Sequence, residues 1–466
     1  MLAEAIYLYQ KYKSIIGMSY RQLVGLEDQL KKIDHFAEEA QERIDNESAH
    51  NKEVLMGIRI VETFLKRTGR ICYGGTAMNS HLPDKYKFYD PNADIPDYDF
   101  LTTDGEADLE SIEQDLRREG FTEIGRRPGI HAGTMKLYLN YVPIADVTEI
   151  NKELYNMFKK KAKVIKGITY MDINSLRMMM YLELSRPAGE VERWKKVYER
   201  LLLLQYVAKP ARCKQKDLQD LKVAKPIYTA ALNYAINYNR VLAGTSVLHL
   251  YEKSEHSKVS GDYLRSANLP IIFYTPTLNL DGEAMEILLG TADTKVKFLD
   301  PVGEFVPRMA IVTYLKKPIL LMVEETACHS YNVVHTQAGR NIRIASLDLM
   351  ITLYFSLQFS KDKVISKFFP MKLHCMAQAA IDTSNFLRRF PKKSQFPFIS
   401  LECSGHQKGF PSLLREKFER VAEEKKRRLA GTAKRSSSKT ARKTSRKTLK
   451  KSLPSSIKTS LKTLNI

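Results

Sequence analysis

Arg70-Ile71-Cys72-Tyr73-Gly74-Gly75-Thr76-Ala77-Met78-Asn79 is a short apolar run that breaks on two glycines and resumes as helix-forming sequence. Such a stretch reads as strand, tight turn and helix start. Glycines at 74 and 75 let the backbone approach a ligand closely, and the N–H groups opening the next helix favour a polyphosphate. Thr76 adds a hydroxyl donor. Upstream, Val54, Ile58, Val61 and Leu65 recur at helical spacing, and Gly69 stands where that helix should end. Leu23, Leu26, Leu30 and Ile33 show the same period, so both stripes are expected to face a core.

Downstream, Asp97-Tyr98-Asp99-Phe100 opens a segment, 97–103, that reads as a strand. Residues two apart on a strand share a face, about 6 to 7 Å apart along the backbone, and two acids so placed repel unless a cation lies between them. Asp146 interrupts the apolar strand Val142-Pro143-Ile144-Ala145-Asp146-Val147. An unpaired carboxylate buried there would cost several kcal/mol. Three carboxylates on neighbouring strands form a hard-oxygen site suited to Mg²⁺ or Mn²⁺, and with a glycine turn beside them the implied chemistry is metal-dependent phosphoryl or nucleotidyl transfer.

At 466 residues, 44% hydrophobic and 27% charged, the chain has the make-up of a globular protein of two or three domains. Its longest apolar runs, such as 201–204 and 319–323, are far too short to span a membrane, and Glu4 sits where a signal peptide would be basic or apolar. The five cysteines are scattered and never form C-x-x-C. They are expected to be free thiols in a reducing compartment. His329 beside Cys328 and His374 beside Cys375 are poor zinc candidates, because sequence neighbours rarely chelate one ion together.

Fifteen of the 74 Lys and Arg, and no acid, fall within 425–466, so the body carries only +6 of the formal +21. That tail is too poor in apolar surface to fold alone and is expected to be disordered. It reads as a tether to nucleic acid, as a nuclear import signal around Lys425 to Arg428, or as a solubilising extension. Lys159, Lys160, Lys161, Lys163 and Lys166 could meet phosphate or form a solvated face. Arg177 and Tyr181 could face a nucleotide or pack. Tyr234, Tyr238 and Tyr251 could stack on bases or pack.

Gly74-Gly75-Thr76, Asp97-Tyr98-Asp99 and Asp146 resemble the glycine turn, D-h-D and third aspartate of the polymerase-beta-like nucleotidyltransferases. Cys72 to Ala77 and Leu182-Glu183-Leu184-Ser185-Arg186-Pro187 are similar to the poly(A) polymerase catalytic subunits of poxviruses and giant DNA viruses, over roughly 50–400. The twenty residues between Thr76 and Asp97 are more than compact family members have, which points to an insertion at His81 to Pro96. The resemblance implies transfer of AMP from ATP to RNA 3′ ends, ATP as substrate and RNA as partner. Asp97, Asp99 and Asp146 would hold Mg²⁺ or Mn²⁺, with Gly74, Gly75 and Thr76 on the phosphates. It further implies a homodimer, and a setting in the virion and the infected-cell cytoplasm. Metals and glycines contact only phosphate, so another nucleotidyltransferase, or a noncatalytic RNA-binding scaffold, stays open.

Residues 225–360 repeat the order of 55–185. Tyr238 to Ser246 parallels Arg70 to Thr76, and Ile271 to Thr275 parallels the D-x-D strand. Lys317 to Val323 parallels Tyr141 to Val147, and Ile344 to Met350 parallels Ile173 to Met179. The second copy lacks the acids, having Ile271 to Phe273 for Asp97 and Asp99 and Leu321 or its neighbour for Asp146. It is expected to serve as scaffold or RNA-binding wall. The expected fold is mixed α/β with two nucleotidyltransferase-like lobes, the second degenerate. The expected divisions are a helical region 1–50, a catalytic domain 51–200, a linker with the degenerate domain 201–420, and a basic tail 421–466.

Overall fold

A computed structural model describes residues 20–49, 51–89, 98–213, 222–369, 372–392, 394–409, 411–423 and 426. Two compact units divide the chain, Met1–Arg127 with Gly133–Lys408 and Pro128–Ala132 with Gly409–Ile466. In the smaller unit a helix runs over 411–423, and the Arg420 guanidinium donates to the Ile130 carbonyl at 3.0 Å. The tail 421–466 lies outside the described residues except for 421–423 and 426.

The larger unit holds two mixed sheets. The first contains β1 (Ile71–Cys72), β2 (Tyr98–Thr102), β3 (Ile124–Pro128), β4 (Thr134–Leu139), β5 (Val142–Glu149), β6 (Lys163–Ile165) and β7 (Ile168–Tyr170), in the spatial order β3-β4-β5-β2-β1-β7-β6. The second contains β8 (Val241–Ala243), β9 (Ile271–Thr275), β10 (Thr294–Leu299), β11 (Met309–Tyr314), β12 (Lys317–Glu324), β13 (His329–His335), β14 (Asn341–Ala345) and β15 (Cys403–Ser404), in the order β10-β11-β12-β9-β8-β14-β13-β15. Adding seven to each strand of the first order reproduces the second, with β15 appended. Strand directions agree as well: β2 is parallel to β5 as β9 is to β12, and β1 is parallel to β7 as β8 is to β14.

The agreement extends to single residues. The β4–β5 hairpin turns through Asn140 and Tyr141 at φ 49° and 67°, and the β11–β12 hairpin through Leu315 and Lys316 at φ 47° and 66°, the paired left-handed residues of a tight hairpin. Each hairpin carries a register shift at the matching place, Leu137/Tyr138 and Val312/Thr313. A half-buried ion pair joins Arg70 to Asp108 at 2.6 Å in the first lobe and Arg240 to Asp281 at 2.7 Å in the second. This repetition carries the duplicated, degenerate second lobe expected from the sequence. It also corrects the alignment. The hairpin turns pair Lys317 with Val142 rather than Tyr141, and the helix caps Asp172 and Ser346 pair Leu347 with Ile173, three residues from the sequence match.

Helix Lys52–Thr68 buries Val54, Ile58, Val61 and Leu65 and ends on left-handed Gly69, φ 62°, as its pattern indicated. In helix Tyr20–Ala49 the expected core-facing stripe is overturned where it is described: Leu30 is 43% and Ile33 64% exposed. Helical spacing shows that one face is apolar, but not that the same chain covers it. The side chains of Leu23 and Leu26 lie outside the described residues. The expectation of free thiols is overturned too. Cys213 is bonded to Cys375 and Cys328 to Cys403, leaving Cys72 buried and free. Partners separated by 162 and 75 residues cannot be paired by spacing. No helix among the described residues is long and apolar enough to cross a membrane.

Candidate active site

Strand β1 delivers the chain to Tyr73, whose N–H donates to the Asp99 carbonyl at 2.9 Å, and then to Gly74 at φ 70°. That left-handed angle suits glycine, and so does the space. A side-chain carbon on Gly74 would overlap Asp99 Oδ2 and lie 3.0 Å from its Cγ. Helix Gly74–His81 starts at once, with Thr76 buried. Its first N–H groups therefore open beside the Asp99 carboxylate. The strand, turn and helix expected over 70–79 are all present.

Parallel pairing of β2 and β5 puts Asp99 in register with Asp146. The two carboxylates stand on one sheet face, on strands about 4.8 Å apart. Asp97 lies outside the described residues. Asp146 is 8% exposed, and Lys136, its cross-strand partner on β4, reaches its Oδ2 at 2.5 Å. Its Oδ1 is buried with no hydrogen-bond partner among the described residues. A buried carboxylate with one oxygen on an ammonium and the other unpartnered, next to a second carboxylate, is a donor set that fits a hard divalent cation.

The second lobe keeps the turn without these groups. At the matching glycine, Gly244 with φ 90°, an added carbon would meet Ile272 Cγ1 at 3.0 Å. The cross-strand pair Lys136 and Asp146 becomes Ile311 and Leu321. Ile272 replaces Asp99, and Pro270 stands two residues before it, where the first lobe has Asp97. The turn and the Arg-Asp ion pair persist in both lobes, whereas every charged group of the site is apolar in the second.

Around the turn the structure adds residues that sequence reasoning missed. Segment 82–89 returns over the helix, because Asn79 Oδ1 accepts the N–H groups of Phe88 and Tyr89 at 2.9 and 3.3 Å. Arg200, on helix Trp194–Val207, donates to the Tyr89 hydroxyl at 3.1 Å. Arg193 bridges Glu183 at 3.2 Å and Glu190 at 2.8 Å, and it feels the charge of Asp99. Burial raises the pKa of Glu183, with Arg193 opposing. Nothing local marks Arg193 or Arg200, since their importance comes from a helix more than a hundred residues past the turn. Lys136 was within reach had its strand been paired with β5.

The other candidates divide between packed and exposed side chains. Lys159 donates to the Gly69 carbonyl and Lys161 lies 4.2 Å from the Phe359 ring centre, while Lys160, Lys163 and Lys166 are exposed. Arg177 is 3% exposed and reaches Asn174 at 3.3 Å, and Tyr181 is fully buried. Tyr251 is buried with its hydroxyl on the Ala345 carbonyl, Tyr234 donates to Asp281, and Tyr238 is exposed. Of the three tyrosines, only Tyr238 is free to meet a base.

Residues 59–190, which include Gly74, Gly75, Thr76, Asp97, Asp99, Lys136 and Asp146, match the family model of the poly(A) polymerase catalytic subunit. Similar curated proteins are African swine fever virus poly(A) polymerase catalytic subunits. That of strain Badajoz 1971 Vero-adapted is 26% identical over 108 residues, 23% of each chain. That of isolate Tick/Malawi/Lil 20-1/1983 is 24% identical over 127 residues, 27% of each. The matched segment thus spans about a quarter of these relatives' length. The Megavirus polyadenylate synthase crystal structure superposes with TM-score 0.68 at 16% identity, covering 86% of this chain and 84% of that one, so the two share their fold. The likeness to viral poly(A) polymerases read from the sequence is borne out.

Proposed function

We propose, for a chain whose first lobe matches the viral poly(A) polymerase catalytic subunits, that it adds AMP from ATP to RNA 3′-hydroxyl ends without a template, in mRNA polyadenylation. The observation that supports this most is the in-register pair Asp99 and Asp146 beside the Gly74 turn, with both acids replaced by Ile272 and Leu321 in a lobe otherwise built alike. Asp99 and Asp146, joined by Asp97, would hold Mg²⁺ or Mn²⁺, two ions in the reading favoured here. Such ions activate an attacking hydroxyl and stabilise a leaving group in an in-line displacement. The N–H groups of Gly74 and Gly75 and the Thr76 hydroxyl cradle the β- and γ-phosphates. Lys136 holds the Asp146 carboxylate in place by direct ion pairing. The 3′-hydroxyl gives its proton up to solvent as its oxygen joins the α-phosphorus, and pyrophosphate leaves with the electron pair of the broken bridge.

The same likeness supports a homodimer, and a setting in the virion and the infected-cell cytoplasm, while the excess of Lys and Arg over 425–466 supports the tail as an RNA tether. The divisions 1–50, 51–200, 201–420 and 421–466 are the proposed domains. The deciding experiment incubates the protein with end-labelled RNA, Mg²⁺ or Mn²⁺ and each nucleoside triphosphate in turn. An ATP-dependent ladder is expected. Equal growth with all four would assign a nucleotidyltransferase without adenine preference, and RNA binding with no growth would leave a scaffold.

A further inference from the structure

Gly75 faces away from the acids, onto an arginine. A side-chain carbon at Gly75 would overlap the Tyr89 hydroxyl and lie 3.0 Å from Arg200 Nη1. The glycine turn is therefore gripped between two charges, the Asp99 carboxylate against Gly74 and the Arg200 guanidinium against Gly75. Arg200 forms no ion pair among the described residues. Instead it is held by aromatic rings, with its guanidinium carbon 4.5 Å from the Phe88 ring centre and 5.4 Å from that of Tyr89, and by its bond to the Tyr89 hydroxyl. Those rings are fixed in turn by Asn79 of the turn's own helix and by the edge-to-face contact of Tyr86 with Tyr206, 4.8 Å between centres. A guanidinium held by rings and a hydroxyl, which Glu183 meets through its charge without an ion pair, keeps donors for an incoming anion.

Resting on the polymerase reading above, we propose that Arg200 binds the outer phosphates of the triphosphate and takes up the charge of the leaving pyrophosphate, with Tyr89 as its positioning residue. The assignment follows from direction. The α-phosphorus must lie by the acids at Gly74, so the phosphates that depart extend along the turn toward Gly75 and Arg200. As the 3′-oxygen bonds to the α-phosphorus and the bridging bond breaks, negative charge grows on the pyrophosphate, and a preset guanidinium there stabilises that change. The segment 82–89, part of the insertion that departs from compact relatives, thereby acquires a role, because it carries Tyr89 and Phe88 to Arg200.

The test separates phosphate from base. Binding of inorganic tripolyphosphate and of AMP, each with Mg²⁺, is measured by calorimetry for wild type, Arg200→Ala, Arg200→Lys and Tyr89→Phe, with thermal melting alongside. Arg200→Ala should weaken tripolyphosphate about ten- to a hundredfold, the range for contacts to charged groups, and leave AMP within about twofold, the small change left where no contact is lost. Tyr89→Phe, which removes one oxygen, should weaken tripolyphosphate about threefold, raise the KM for ATP and lower kcat, with RNA affinity unchanged. If Arg200→Ala does not fold, Arg200→Lys and Tyr89→Phe carry the same comparison. Unchanged tripolyphosphate affinity, or a loss confined to AMP, overturns the proposal. A wild type that binds tripolyphosphate through Arg200 but extends no RNA removes the polymerase reading and with it the role toward pyrophosphate, and leaves Arg200 as a triphosphate-binding residue.

Discussion

Substituting Gly74 by alanine separates the chemistry of the turn from its role in folding, because the second lobe supplies an internal control. At Gly74 the new carbon meets two obstacles, a left-handed φ of 70° and the Asp99 carboxylate, whose Oδ2 it would overlap and whose Cγ it would reach at 3.0 Å. The backbone term is about 1 kcal/mol. The overlap is relieved only by moving Asp99, and displacing a reacting group by about 1 Å costs roughly a hundredfold in rate. At Gly244 the same change meets φ 90° and Ile272 Cγ1 at 3.0 Å, with no acid nearby to displace. Both variants should therefore lose a similar 1 to 2 kcal/mol or so, a few degrees of Tm. In primer extension Gly74→Ala should lose about a hundredfold in kcat, whereas Gly244→Ala should stay within about twofold of wild type. Equal loss of activity in the two, at matched Tm, would refute the division into a working lobe and a retained scaffold.

Lys136→Met should lower stability in chelator by about 1 to 3 kcal/mol, read as a drop in Tm, since it strands the buried Asp146 charge while removing a lysine that is itself partly exposed. Saturating Mg²⁺ should restore much of that loss, and an equal loss with and without Mg²⁺ would contradict a cation site at Asp146. His329 is driven by burial, and secondarily by Arg186, down to a pKa of about 3. Because the unfolded chain binds that proton near pH 6.5, stability should be fully present above 6.5 and fall by roughly 1.4 kcal/mol per pH unit below it, toward 3. His329→Gln should flatten that slope in pH-dependent melting, and an unchanged slope would place the acid sensitivity elsewhere. The pair Cys213→Ser with Cys375→Ser should lower stability by about 5 kcal/mol for so long a loop, and reducing both disulfides should lower it further. A Tm indifferent to reductant would mean that the thiols are free, as the scattered cysteines alone suggest.

The site was legible wherever its logic was local. Gly74 and Asp99 lie on one turn and one strand, and Asp146 betrayed itself as a charge in an apolar run. The duplication was legible in order but not in register, because short strands such as β8 and β14 carry too few residues to fix an alignment. Hairpin turns and helix caps fixed it instead. What stayed hidden depends on closure over distance. Arg200 meets Tyr89 across 111 residues and Cys213 meets Cys375 across 162, and neither pairing leaves a mark on its neighbours. Helix Tyr20–Ala49 shows the converse, a clear periodic signal whose expected burial the chain does not supply at Leu30 and Ile33.

The central claim is that Asp99 and Asp146 share a divalent cation next to the Gly74 turn. Crystals grown with Mn²⁺ and a nonhydrolysable ATP analogue, measured at the manganese edge, test it directly. Anomalous density is expected between the two carboxylates, with Asp146 Oδ1 as a ligand and the analogue's phosphates on the turn. Density absent there in crystals that bind the analogue, with Lys136 still paired to Asp146, would contradict it.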